Sequence, residues 1–188
     1  MKREVLDQFT DRELYANLYA TQGFMLAAAL IVSYFLSGSV FTPFIGLDWS
    51  SAAVNAGIIF AAAVIVLEII LYKAVPSSWF DDGGVNERIF QHMHPAHIAV
   101  VSLVVAICEE VLFRGVIQEH FGLLAASILF ALIHVRYLKN MFLFSFVVLM
   151  SVGLGVVYEW TGTLVSVIIA HFLIDFILGL LIRYRILT

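Results

Sequence analysis

Six stretches of apolar residues, bounded to within a few positions at 23–41, 52–75, 97–119, 122–138, 141–159 and 162–182, are each long enough to cross a lipid bilayer, for which a helix takes roughly 20 residues. Of 188 residues 62% are hydrophobic and only 13% charged, and the mean hydropathy is +1.01. That excludes an ordinary soluble domain, in which charged residues run near a quarter of the total. It also excludes disorder, which requires low hydrophobicity. The expected fold is all-α, a polytopic transmembrane helical bundle of about six spans with the bilayer as its surroundings. Residues 1–188 are expected to form a single integral-membrane domain. A net charge of −4 without any basic run argues against a nucleic-acid partner, since phosphate binding requires clustered Lys and Arg. Cys108 is the single cysteine, so an intrachain disulfide is impossible.

Residues 1–22 mix acids and bases, and Thr10 with Glu13 forms a capping-box pattern suited to starting a helix near Asp11. This segment is expected to be a short interfacial helix, not a cleavable signal peptide, because it lacks the net-positive start and the small-residue cut site. Between the second and third stretches lies one sizeable polar loop, Pro76 to Pro95, with Asp81, Asp82, Gly83 and Gly84 as a turn signal. Threading six spans puts nine of the ten basic residues on one side: Lys2, Arg3, Arg12, Lys73, Arg88, Arg136, Lys139, Arg183 and Arg185. The positive-inside rule then predicts a multi-pass protein of the cell membrane with both termini cytoplasmic, N-in and C-in.

The tenth base, Arg114, lies inside the third span with Glu109 and Glu110; the fourth span holds His134 and the sixth His171 and Asp175. Ionisable groups near mid-bilayer cost about 2.5–3.5 kcal/mol each on translocon scales, so they point to function by default. At about 1.5 Å per residue, a third helix rising and a fourth and sixth descending bring Glu109, His134 and His171 to one depth. Glu110 and Arg114 are spaced i,i+4 and can pair on one face. Glu109 points about 100° away, free for chemistry. His171 and Asp175 share the i,i+4 spacing and can aim at one volume. Phe130 has the same relation to His134, as a wall one turn from the imidazole.

A buried carboxylate beside imidazoles indicates general acid–base or metal chemistry. Burial makes a glutamate a stronger base, so a water between Glu109 and His134 could be deprotonated for attack on a carbonyl. His171, as imidazolium or with an N–H directed inward, could stabilise the oxyanion. Against this stands the reading that these side chains are interhelical ion pairs and hydrogen bonds alone.

The same residues resemble a known family. Glu109-Glu110-Val-Leu-Phe-Arg114 is similar to EExxxR, Phe130-Ala-Leu-Ile-His134 to FxxxH, and His171-Phe-Leu-Ile-Asp175 to HxxxN/D, the signatures of the CAAX-protease and bacteriocin-processing (CPBP, or ABI) family. Tyr158-Glu159-Trp160-Thr161-Gly162-Thr163-Leu164 resembles its YxxTGSL lead-in. The motif-bearing core runs from about 97 to 182. The resemblance implies an intramembrane endopeptidase related to the type II CAAX prenyl proteases, a glutamate peptidase with no catalytic metal or other cofactor. Carried over by position, Glu109 and His134 would activate water, His171 and Asp175 would form the oxyanion site, and Glu110, Arg114 and Phe130 would support it. The best-studied members have Asn where this chain has Asp175. An ionised Asp cannot donate to an oxyanion, so Asp175 would be protonated, orient His171 or take another part. The short chain resembles bacterial members, which implies peptide, membrane-protein or bacteriocin-related substrates, whereas prenylated substrates are the eukaryotic association.

Three alternatives remain open at this level. Three carboxylates against one Arg114 leave excess negative charge that a divalent metal such as zinc, held by Glu109, His134 and His171, would neutralise. A non-catalytic immunity or scaffold protein of the same fold is the second. The third is a small transporter relaying protons, against which stand the lack of repeat symmetry and of any span broken by Pro. Elsewhere, His92, His94 and His97 are expected at the cytoplasmic interface, Glu68 to pair with Lys73 or snorkel, His120 to be solvated, and Cys108 to be a buried thiol without a catalytic role.

Overall fold

A computed structural model describes residues 8–186, which form helices joined by short turns, with no strand among the described residues. The long helices are α1 (Asp11–Ser37), α2 (Ser51–Ala74), α4 (Pro95–Leu112), α5 (Glu119–Ile133), α6 (Met141–Thr161) and α7 (Leu164–Arg183); a short α3 (Val85–Phe90) lies in the polar loop. Thr10 caps α1 as the sequence predicts: its hydroxyl accepts from the Glu13 amide at 3.3 Å, and Glu13 accepts from the Thr10 amide at 2.8 Å. From that cap the helix runs unbroken to Ser37. The interfacial helix expected over 1–22 and the span expected from 23 are thus one rod where described, and residues 1–7 lie outside the described residues. With no proline in it and Gly23 accommodated within the helix, nothing breaks the rod.

Among the described residues five helical segments are long and apolar enough to cross a membrane, the longest being Pro95–Ile133. It contains the third expected span and the larger part of the fourth. α4 passes into a π-helical stretch, Phe113–Gln118, and then α5, which folds back at Gly122 with φ 81° and ψ 170°. Glycine alone takes this backbone without steric cost. Beyond the fold, 123–133 gives only about 16 Å of helix, roughly half the hydrocarbon thickness. The stretch expected to span over 122–138 therefore ends its α-helix at Ile133 and finishes as a 3-10 turn, Val135–Lys139. The physical reason lies at His134. Its ring Nδ1 approaches the Phe130 carbonyl at 2.8 Å, the acceptor that its own amide would use in a continuing helix, and the amide bonds Ala131 instead at 3.2 Å.

Lipid offers no hydrophobic drive for helix association, so small residues and polar contacts must bring the helices together. α2 lies against α7 through Ala53, Ala56, Gly57 and Ala61, while α4 packs between α7 and α1. A Cβ at Gly57 would stand 2.3 Å from the Ser166 carbonyl oxygen. Gly57→Val is accordingly expected to destabilise the bundle by about 1–3 kcal/mol or more, read as a lower thermal midpoint in detergent. Gly23→Ala, where no atom lies within 4 Å, should leave it unchanged, and equal behaviour of the two would refute this packing.

Arg88 pairs with Asp11, Arg136 lies 3.8 Å from Asp82, and Arg183 donates to the Gln91 carbonyl at 2.7 Å. The start of α1, the polar loop, the 3-10 turn after α5 and the end of α7 therefore meet at one end of the bundle. Large apolar side chains such as Phe24, Phe35, Ile59 and Leu124 cover the outer flanks.

Candidate active site

Within the bundle side chains from all seven helices, α1 to α7, line a cavity of about 310 Å³, among them Glu109, His171 and Asp175, with His134 just after α5, at the lower end of the range for ligand sites. The depth matching of the third and fourth segments survives because they share the Gly122 fold. Glu109 lies 13 residues before it and His134 12 residues after it.

Two consecutive glutamates take different directions, as 3.6 residues per turn requires. Glu110 is wholly buried and faces away from the cavity. Its Oε1 accepts from Arg114 Nη1 at 3.2 Å, and its Oε2 lies 3.2 Å from Arg114 Nε. Arg114, equally buried, sits in the π-helical stretch, donates through Nη2 to the Ser151 carbonyl at 2.9 Å and hydroxyl at 3.0 Å, and lies 4.9 Å over the Phe130 ring. Glu109 instead lines the cavity and accepts from Gln22 Nε2 at 3.3 Å.

His171 joins the two glutamates. Its Nδ1 stands 2.6 Å from Glu110 Oε1, a short charge-assisted contact. Its Nε2 lies 3.5 Å from Asp175 Oδ2 and 4.0 Å from Glu109 Oε2, distances too long for either carboxylate to saturate it. The i,i+4 pair on α7 thus meets, and Asp175, about a third exposed, flanks the imidazole. His134 is fixed differently. The Phe130 carbonyl can only accept, so Nδ1 carries a proton, and Nε2 is the nitrogen left to hold the lone pair of the neutral form. Phe130 is the shared wall, with ring centroids 4.8 Å from His134 and 6.2 Å from His171.

The three ligands considered for a divalent metal do not gather: no group of three or more His, Cys, Asp or Glu side chains suited to an ion occurs among the described residues. In this arrangement both His171 nitrogens already face carboxylates. The other histidines have separate tasks. His94 caps α4, its Nδ1 accepting from the Ala96 amide at 3.2 Å, and His97 Nε2 meets the Tyr19 hydroxyl at 3.0 Å. His120 is exposed, with Nε2 2.9 Å from the Ser37 hydroxyl. Cys108 is buried outside the cavity lining.

Sequence reasoning missed three participants. Gln22 fell on the wrong side of the expected boundary between interfacial helix and span; a polar residue one position from an apolar run was the available signal. Ser151 carries no sequence mark among the small residues of α6. Glu68 was expected to pair with Lys73 or snorkel, but it lines the cavity, with Oε2 buried and without a hydrogen-bond partner. Glu159, in the lead-in run, accepts from Gln118 Nε2 at 3.2 Å and thereby helps tie the π-helical stretch to α6.

Comparison with known proteins bears on the stretch that carries these residues. Residues 91–177 match the family described as type II CAAX prenyl endopeptidase Rce1-like. The chain is 44% identical over 129 residues to the uncharacterized protein YpbD of Bacillus subtilis (strain 168), covering 69% of this chain and 68% of that protein. No solved structure matches.

Proposed function

Because the chain belongs to the Rce1-like family of type II CAAX prenyl endopeptidases, we propose that it is a multi-pass intramembrane peptidase that hydrolyses a peptide bond with a water held between Glu109 and His134. The observation that carries this reading is the division of labour between adjacent glutamates. Glu110 is consumed by Arg114 and His171, whereas Glu109 faces the cavity shared with His134.

In the proposed reaction His134 Nε2 orients the water and Glu109 takes its proton as the oxygen adds to the substrate carbonyl carbon. The carbonyl electron pair moves onto oxygen, and that oxyanion is met by the Nε2–H of His171, held as imidazolium by Glu110 on its far side. Asp175 then acts by orienting His171, since an ionised carboxylate has no proton to donate. Collapse of the intermediate breaks the C–N bond, and Glu109 returns the proton to the departing amine. The substrate is a peptide or membrane protein, with or without a lipid. The end of the bundle that gathers the basic residues faces the cytoplasm, so both termini lie there.

The test is cleavage of a quenched fluorescent peptide library by detergent-solubilised protein, comparing wild type with Glu109→Ala and His134→Ala, each with and without a strong chelator. Cleavage lost in both variants and indifferent to chelator is the expected result. Loss on chelation with recovery on adding metal would replace the glutamate mechanism by a metal-dependent one. A folded wild type that cuts no member of the library would favour a non-catalytic scaffold.

A further inference from the structure

The cavity holds more hydrogen-bond acceptors than its own donors satisfy. Gln22, only 6% exposed, gives its Nε2 to Glu109, which fixes the amide so that Oε1 is the free end, and that oxygen is buried without a partner. Glu68 Oε2 is in the same condition. Both residues line the cavity, and both orphan atoms can only accept unless Glu68 is protonated. Glu68 also sits within electrostatic reach of Asp175, so carboxylates from α2 and α7 line one cavity, and among the described residues no base pairs with Glu68. Arg136, the guanidinium lining the cavity, is already engaged by the Tyr137 hydroxyl at 2.7 Å and Asp82 at 3.8 Å. Leaving buried acceptors unpaired forfeits the hydrogen bonds they made to water. A ligand that brings a cation recovers that loss.

We propose that Glu68, together with Asp175 and the Gln22 carbonyl oxygen, forms a subsite for a cationic group, the ammonium or guanidinium of a Lys or Arg side chain in the bound peptide. The identity of the ligand as a peptide rests on the peptidase reading; the cation preference rests on the orphan acceptors. At 1.5 Å per residue Glu68 lies about 9 Å from the Ala74 end of α2, and Glu109 about 21 Å from the Pro95 end of α4. These ends both adjoin the polar loop, so along the helices the backbone of Glu68 lies about 12 Å nearer that loop than the backbone of Glu109, and the subsite reaches from Glu68 toward the Gln22 oxygen and Asp175 beside the reacting carboxylate. In an extended peptide at about 3.3 Å per residue, the basic side chain falls within three or four residues of the scissile bond.

The experiment measures binding apart from turnover, by fluorescence anisotropy in detergent with the Glu109→Gln protein, which leaves bound peptide uncut. Three fluorescent pools of randomised ten-residue peptides are compared: N-acetylated with a fixed central Lys, N-acetylated with norleucine in its place, and norleucine with a free N-terminus. The Lys pool is expected to bind about tenfold tighter or more, a difference of roughly 1.4 kcal/mol. Glu68→Gln should abolish the preference and Glu68→Asp keep most of it. Equal binding of the Lys and norleucine pools, or a preference that survives Glu68→Gln, overturns the subsite. Tighter binding of the free-amine pool alone overturns its assignment to a side chain. Independently of any Glu68 variant, n-hexylammonium should displace the Lys pool where n-hexanol does not, and equal displacement by both also overturns it. Wild-type protein that shows the Lys preference yet cleaves nothing refutes the peptidase reading and leaves the subsite standing.

Discussion

Arg114→Met is expected to lower the stability of the bundle by about 3–5 kcal/mol, the cost of removing one partner from a buried ion pair. Both side chains of the pair are fully buried, so Glu110 would keep its charge in the bundle interior with only His171 to balance it. The Ser151 carbonyl and hydroxyl would lose their guanidinium at the same time. Arg114→Lys should recover only part of the loss, since one ammonium cannot span Glu110, Ser151 and the Phe130 face as a planar fork does. The double change Glu110→Leu with Arg114→Met should be more stable than Arg114→Met alone, because an apolar pair of similar volume often equals a buried ion pair. It should nevertheless be inactive, as His171 then has nothing to accept its Nδ1 proton. Unfolding midpoints in detergent check all three variants. An Arg114→Met midpoint equal to wild type would remove the pair from any account of what holds α4 to α6.

How far these contacts were legible in the sequence depends on whether the backbone stayed regular. Through Leu112 the chain is α-helical, so the divergence of Glu109 and Glu110 is read correctly, and Glu110 meets Arg114 as the i,i+4 spacing predicts although Arg114 lies just past that point. His171 with Asp175, on an unbroken α7, obeys it too. Past Leu112 the helix widens into the π-helical stretch, and no pattern of apolar residues marks that change. Gly122 was read as the first residue of the fourth stretch, yet its positive φ makes one hairpin-like segment where two independent spans were expected. Periodicity was equally silent on where α5 stops, because the cause is a side chain, the His134 ring occupying its own i−4 carbonyl. Tertiary neighbours were the least legible. That His171 would reach Glu110 at 2.6 Å, 61 positions away, and that Glu68 would turn into the cavity, depends on how α2 and α4 dock on α7. Depth alone does not specify that docking.

Glu109→Gln and Glu110→Gln should fail in different ways, although the two residues are neighbours. Gln at 109 preserves size and can still meet Gln22, but its amide oxygen cannot take a proton from water. kcat is expected to fall about 10²–10⁴-fold, the usual range for loss of a general base, with KM and unfolding midpoint close to wild type. Gln at 110 removes the charge that holds Arg114 and His171. Its midpoint should fall, and activity with it, because His171 loses the partner that keeps it protonated and aimed. Adding substrate or lowering temperature should restore none of the Glu109→Gln deficit, since that protein is folded and binds. For Glu110→Gln, cooling should restore part, as the folded fraction recovers. Steady-state kinetics at two temperatures, beside thermal unfolding of each protein, separates the cases. A stable but inactive Glu110→Gln alongside an active Glu109→Gln would exchange the two roles, and with them the side of α4 from which water is activated.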